Sequence, residues 1–163
     1  MHHTAVSVRR FDDMLGFYTA AFGGHPIDRN EWDANPVADA VLGVKGSSVR
    51  KVTLRIGNSF LELFEFRHPL ADNPPLTPYD KGYTHIALLV EDIDREVARI
   101  AALGASFHCA VQQFGAARSV YGMDPEDNIF ELIEVLDSRH PYVGGQGSGP
   151  QPGGDSAEAD SGP

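Results

Sequence analysis

Cysteine is almost absent from this 163-residue sequence, which carries only Cys109. No internal disulfide framework can hold such a chain, and a reducing compartment is expected. Cys109 itself reads as a small buried hydrophobe late in a strand. Basic residues are scarce too, with 13 Lys and Arg against 23 Asp and Glu and a formal net charge of −10. Without clustered Lys and Arg a surface cannot neutralise a phosphate backbone, so nucleic acid is not the expected partner. No apolar run approaches the roughly 20 residues a membrane span requires, and no charged-then-apolar leader precedes the first strand. The expectation is a cytosolic protein with no membrane partner.

What is present is a repeat. The run Thr84-His85-Ile86-Ala87-Leu88-Leu89-Val90 has a second copy at His3-Thr4-Ala5-Val6-Ser7-Val8. Each starts at a histidine, continues as a short apolar and β-branched run, and meets a polar segment holding an aspartate, so each reads as a strand leading into a helix. After the first copy, Asp12 or Asp13 is expected to cap a helix bearing Leu15, Tyr18 and Phe22 at helical spacing, ended by Gly23-Gly24. His25 to Gly46 is irregular and reads as an insertion whose middle is loop or short helix. Strands Val49 to Ile56 and Phe60 to Phe66 follow, joined by a tight turn at Gly57-Asn58.

The second copy leads into a helix from about Asp92, with Ile93, Val97, Ile100 and Leu103 on one face and Gly104 as its stop. Strands near Ala105 to Val111, Arg118 to Met123 and Ile129 to Val135 complete it, the last two joined by a turn at 124–128. The fold class is therefore α+β, two modules of strand, helix and three strands. The first spans 1–67 with its insertion at about 25–46, a proline-rich linker covers 68–81, and the second module spans 82–137. Residues 138–163 form a tail of Gly, Pro and acidic residues too poor in apolar side chains to repay the entropy of ordering. The repeat offset falls from 82 residues at the histidines to 69 at the final strands, so the first module carries 13 extra residues.

Strand alternation puts His3, Ala5 and Ser7 on one face, and His85, Ala87 and Leu89 on the equivalent face of the second module. The opposite, all-apolar set should lie under the helices. The final strands present Glu62, Phe64 and Phe66 in one module and Glu131, Ile133 and Val135 in the other. A carboxylate among such neighbours needs a partner, because burying it alone costs several kcal/mol. Two histidines and two glutamates, one of each per module, form a donor set suited to one divalent cation, Zn, Ni, Co, Mn or Fe. Taken singly, a strand histidine is more often an ordinary core or edge residue; recurrence of both residue types at corresponding places favours the ligand reading.

The "HTAVSV" and "HIALLV" starts, the "FYTAAFGG" helix end and the "DPEDNIFELIE" finish resemble the vicinal oxygen chelate superfamily, which includes glyoxalase I, epimerases, extradiol dioxygenases, and fosfomycin- and bleomycin-resistance proteins. The resemblance covers about Met1 to Leu136. It implies paired βαβββ modules forming a curled mixed sheet around a metal, with His3, Glu62, His85 and Glu131 as ligands as in the glyoxalase I branch. It also implies a homodimer, and leaves open whether a site forms within one chain or draws half its ligands from each. Ser7 and Phe66 stand where that branch has the arginine and asparagine that grip glutathione, so glutathione is not carried over as a substrate. Asp127 stands where the family turn usually has glycine, a place that Asp tolerates better than most residues.

The expected activity is metal-dependent isomerisation or epimerisation of a small oxygenated substrate (ketose-, cyclitol- or thioester-like). Glu62 and Glu131 would move a proton next to a carbonyl. Ser7, Phe64, Phe66, Arg118 and Tyr121 are candidate substrate contacts, and Trp32 and Phe114 candidate pocket walls. Two rivals come from other classes. His3, His85 and Glu131 alone would make the two-histidine, one-carboxylate triad of a non-haem Fe(II) dioxygenase, against which a fourth ligand at Glu62 argues. A non-catalytic drug- or metabolite-binding protein would be expected to lack the ligands.

Overall fold

Alternation along residues 3–7 is realised in strand β1 (His3–Ser7), which exposes His3, Ala5 and Ser7 and turns Thr4 and Val6 inward. Helix α1 (Phe11–Phe22) follows, burying Phe11, Met14, Phe17, Tyr18 and Ala21 and ending at Gly23 in the left-handed conformation. Then come β2 (His25–Asp33), α2 (Pro36–Leu42), β3 (Ser48–Ile56) and β4 (Ser59–His68). The second module comprises β5 (Ile86–Leu89), α3 (Ile93–Ala101), β6 (Ser106–Phe107), β7 (Gln112–Phe114), β8 (Ala117–Met123) and β9 (Ile129–Val135). This computed structural model describes residues 2–71 and 77–140. The middle of the linker and nearly all of the expected tail lie outside the described residues.

One sheet has the order β1-β4-β3-β2; the other has β5-β9-β8-β6, with β7 also paired to β8. In each, the first strand of the module runs parallel to the last, β1 beside β4 and β5 beside β9, while the remaining pairs are antiparallel. The class is α+β with two mixed sheets, as expected. The helix-facing sides share one core, in which Met14, Tyr18, Leu61 and Leu63 of the first module belong with Ile93, Ile100, Phe130 and Leu132 of the second. Phe22 and Phe130 meet edge to face with ring centres 5.2 Å apart.

Four local expectations need correction. The stretch His25–Gly46 is not all insertion: its first nine residues are strand β2, paired antiparallel with β3 from His25 to Asp33, and the added length is concentrated in α2. The strand foreseen at Ala105 to Val111 is split, because the chain bends at 108–110 and pairs with β8 only through the short β6 and β7. Cys109 falls in that bend and is exposed rather than buried. Neither Asp12 nor Asp13 caps α1. Its cap residue is Arg10, with no side-chain cap of its own.

The missing cap comes from the other module. Glu126, in the turn between β8 and β9, accepts hydrogen bonds from the backbone N–H of Arg9 and of Arg10, both at 2.6 Å, while the Arg10 guanidinium donates to Pro125 O at 2.7 Å. A carboxylate at a helix N-terminus satisfies unpaired N–H groups and complements the helix dipole. Beside it, Asp124 accepts from the Tyr18 hydroxyl at 2.9 Å and from the backbone N–H of Glu126 and of Asn128. Burial, then the Asp124 charge, raises the Tyr18 phenol well above its ordinary range. Asp127 completes the turn at a φ of 65°, as its short polar side chain allows. Two charge-assisted bonds to one carboxylate imply that Glu126→Ala lowers unfolding stability by about 2 kcal/mol. Urea denaturation should show the loss, and an unchanged midpoint would show that Glu126 does not clamp the modules.

Candidate functional site

Leu61 and Leu63 on β4 point into the core, so alternation sends Glu62 to the face away from the helices. There its Oε2 lies 3.5 Å from His3 Nε2. Its Oε1 accepts from Lys51 Nζ at 2.7 Å and from the Thr53 hydroxyl at 3.0 Å. Burial by itself would raise the Glu62 carboxyl, but the Lys51 and Thr53 hydrogen bonds and the nearby charges of Lys51 and His3 outweigh it and hold the group below the ordinary value. His3 is 42% exposed, and its Nδ1 sits 2.9 Å from His2 Nδ1. His2 lies before β1, so strand alternation does not govern it, and its ring stacks on Phe60.

The second module repeats the arrangement. Glu131 Oε2 lies 3.1 Å from His85 Nε2, and Oε1 accepts from the Ser119 hydroxyl at 2.5 Å. His85 Nδ1 is 2.8 Å from the Thr84 hydroxyl, which leaves Nε2 as the nitrogen presented to the glutamate. The Tyr121 hydroxyl is 3.4 Å from His85 Nε2. Burial and the Glu131 charge raise the Tyr121 phenol, so it stays protonated. His85, Glu131, Ala87, Leu89 and Ile133 line a cavity of about 390 Å³. A larger cleft, about 1960 Å³, runs between the β1 and β5 edges and touches Ser7, Phe66 and His85, but it includes neither glutamate and so is not where the paired groups lie.

The sequence-derived ligands thus pair as His3 with Glu62 and His85 with Glu131. The two pairs do not come together within one chain: among the described residues no three of His, Cys, Asp and Glu gather in one cluster. Ser7 and Phe64 are register partners in the sheet that carries His3 and Glu62, and Phe66 stacks on Phe64 with ring centres 6.1 Å apart. Trp32 meets Phe64 at 6.4 Å, and Phe114 is exposed at the β7 end.

Arg118 does not join the group, because alternation on β8 carries it to the helix side. There it donates to Asp94 of α3 at 2.7 Å and to Glu134 at 2.9 Å, a strut between sheet and helix. Arg50 does the same in the first module, bridging Asp12 and Glu65. Lys51, Thr53 and Ser119 were not foreseen. Adjacent Arg50 and Lys51 in an apolar strand must face opposite sides, and that signal would have found Lys51.

Two βαβββ modules, each presenting a His–Glu pair on the face away from its helix, define a paired-module fold. The chain belongs to the Glyoxalase/Bleomycin resistance protein/Dioxygenase superfamily, whose family model matches residues 1–132. It is 24% identical over 146 residues to a lactoylglutathione lyase of Schizosaccharomyces pombe, across 85% of this chain and 48% of that protein. It therefore spans about half the length of the curated relative it matches. A crystal structure of a glyoxalase family protein from Bacillus cereus superposes with a TM-score of 0.75 at 26% identity, covering 84% of this chain and 94% of that one. A mutant of the fosfomycin resistance protein FosX from Listeria monocytogenes, complexed with Mn(II) and a dihydroxypropylphosphonic acid, shares the fold at a TM-score of 0.55 and 19% identity, covering 83% of this chain and 91% of that one.

Because Lys51 supplies the largest opposing influence to burial at Glu62, Lys51→Met should let that carboxyl rise to or above the ordinary carboxylate range, as followed by carbon-13 carboxyl NMR. A lowered folded value contributes stability above the ordinary range and loses it as pH falls through that value. The stability gap between wild type and variant should therefore narrow on acidification. Identical Glu62 titration in both proteins would count against control by Lys51.

Proposed function

We propose that the protein is a metal-dependent isomerase or epimerase that moves a proton at the carbon next to a carbonyl of a small oxygenated substrate of ketose, cyclitol or thioester type. Its sites are assembled between two copies of the chain. One observation carries this reading: each module holds a His–Glu pair at the same place, and the pairs do not converge within one chain. In a homodimer, the His3–Glu62 pair of one copy and the His85–Glu131 pair of the other would face one another. The superfamily match and the FosX neighbour's bound Mn(II) support a divalent ion as the shared ligand.

The donor set fits such an ion. Each pair turns an imidazole nitrogen and one carboxylate oxygen toward each other, the other oxygen being taken by Lys51 or Ser119. Imidazole with carboxylate suits Zn, Ni, Co, Mn or Fe. Bound there, the ion supplies charge that stabilises negative charge on a substrate oxygen. Lys51 and Thr53 keep Glu62 ionised, which leaves Glu131 to accept the substrate proton at Oε2 and, in an isomerisation of a ketose- or cyclitol-like substrate, return it to the neighbouring carbon. Tyr121, kept protonated, is a donor toward the substrate. Phe64, Phe66 and Trp32 provide an apolar wall that limits competing water.

Two experiments test this. In D₂O, wild type supplied with Ni, Co, Zn, Mn or Fe should exchange deuterium into an α-hydroxyketone, and Glu131→Gln should slow that exchange by about 10²-fold or more. Normal exchange in the variant would remove Glu131 from the chemistry. For the assembly, His3→Ala/Glu62→Ala protein and His85→Ala/Glu131→Ala protein should each hold no tightly bound metal. Mixed dimers of the two should regain one ion per dimer, half the wild-type content. Equal metal in each parent variant and in the mixture would contradict a shared site.

A further inference from the structure

Strand register makes two positions equivalent. Thr53 lies opposite Glu62 and Tyr121 opposite Glu131; two residues earlier, Lys51 lies opposite Phe64 and Ser119 opposite Ile133. Both side chains do the same local job, donating to Oε1 of the module's glutamate, Lys51 at 2.7 Å and Ser119 at 2.5 Å. The hydroxyl of Ser119 shows that a neutral donor reaches that oxygen. Lys51 thus adds to the tether a positive charge that also keeps Glu62 ionised, with an N–H to spare.

The Lys51 side chain is only 16% exposed, and its Nζ lies 6.0 Å from the Phe64 ring centre. An ammonium has three N–H donors. Glu62 and Thr53 accept at 2.7 and 3.3 Å. The remaining counter-charge, Asp28, is 3.7 Å away, beyond hydrogen-bond length, and 55% exposed. One donor is thus without an acceptor among the described residues, on the face that carries the His3–Glu62 pair. A divalent ion held by Glu62 and Glu131 would be neutralised by their two charges, and Asp28, 55% exposed, makes only a weak solvent-exposed pair with Lys51, whose third N–H stays open to a ligand anion.

We infer that Lys51 is a specificity-determining residue that anchors a carboxylate of the substrate, so that among small oxygenated substrates the site binds those carrying a carboxylate more tightly than their neutral counterparts. One free donor on one cation matches a singly charged carboxylate better than a phosphate dianion, whose oxygens call for several donors. The inference rests on the metal-site reading above.

The test uses full-length protein loaded with Mn(II), with glycolate as probe and glycolamide as its neutral counterpart, and binding followed by calorimetry alongside metal content. Wild type should bind glycolate at least tenfold tighter than glycolamide. Lys51→Gln should lose that preference at unchanged Mn(II) content, and Lys51→Arg should keep it. A preference that persists in Lys51→Gln overturns the inference while leaving the metal site standing. So does loss of Mn(II) in Lys51→Gln, which would reduce Lys51 to a support for Glu62. Wild type that takes up no Mn(II) overturns the metal-site reading, and this inference with it.

Discussion

A carboxylate removed from water must find donors or a counter-charge, because leaving it unpaired costs several kcal/mol. Much of this structure follows from that constraint. Four acidic side chains sit at its organising points, and each is answered. Glu126 takes the open N–H groups at the start of α1, and Asp124 takes the Tyr18 hydroxyl with the N–H groups of its own turn. Glu62 and Glu131 are each held between a histidine and a strand donor. The first two bind the modules to one another, and the second two build the candidate site.

The modules also share a design on their helix-facing sides. Arg50 and Arg118 each reach from the next-to-last strand of the module to a glutamate on the last and an aspartate at the start of the helix, Glu65 with Asp12 and Glu134 with Asp94. A helix N-terminus tolerates acidic residues well, so such a bridge fixes helix against sheet where the helix dipole assists. The duplication is broken chiefly where chemistry is expected. Lys51 replaces a hydroxyl, Thr53 replaces Tyr121, and α2 is added between β2 and β3. These are the positions at which the two halves of a site would differ.

Legibility followed the range of the interactions involved. The strands carrying the glutamates were readable because period-two alternation is local: β9 falls at Ile129–Val135 as expected. The irregular opening of β2 hid it, since His25, Pro26 and Asp28 are poor strand formers and the strand is stabilised by pairing with β3. The cap of α1 could not be read locally, because its acceptor lies more than a hundred residues away. Arg118 was a candidate contact whose facing the sequence left open, and its parity with buried Val120 puts it on the helix side.

By itself the sequence determined the two-module repeat, the α+β class, and the faces on which His3, Glu62, His85 and Glu131 lie. Each of these depends on a periodicity or recurrence within a few residues. Only the tertiary structure decided how those four group. It joined them as two separate pairs rather than one cluster, gave Glu62 to Lys51 and Thr53, and closed the modules through Glu126. Such outcomes depend on distances between residues far apart in the chain, and those distances are set by how the two sheets pack around their shared core.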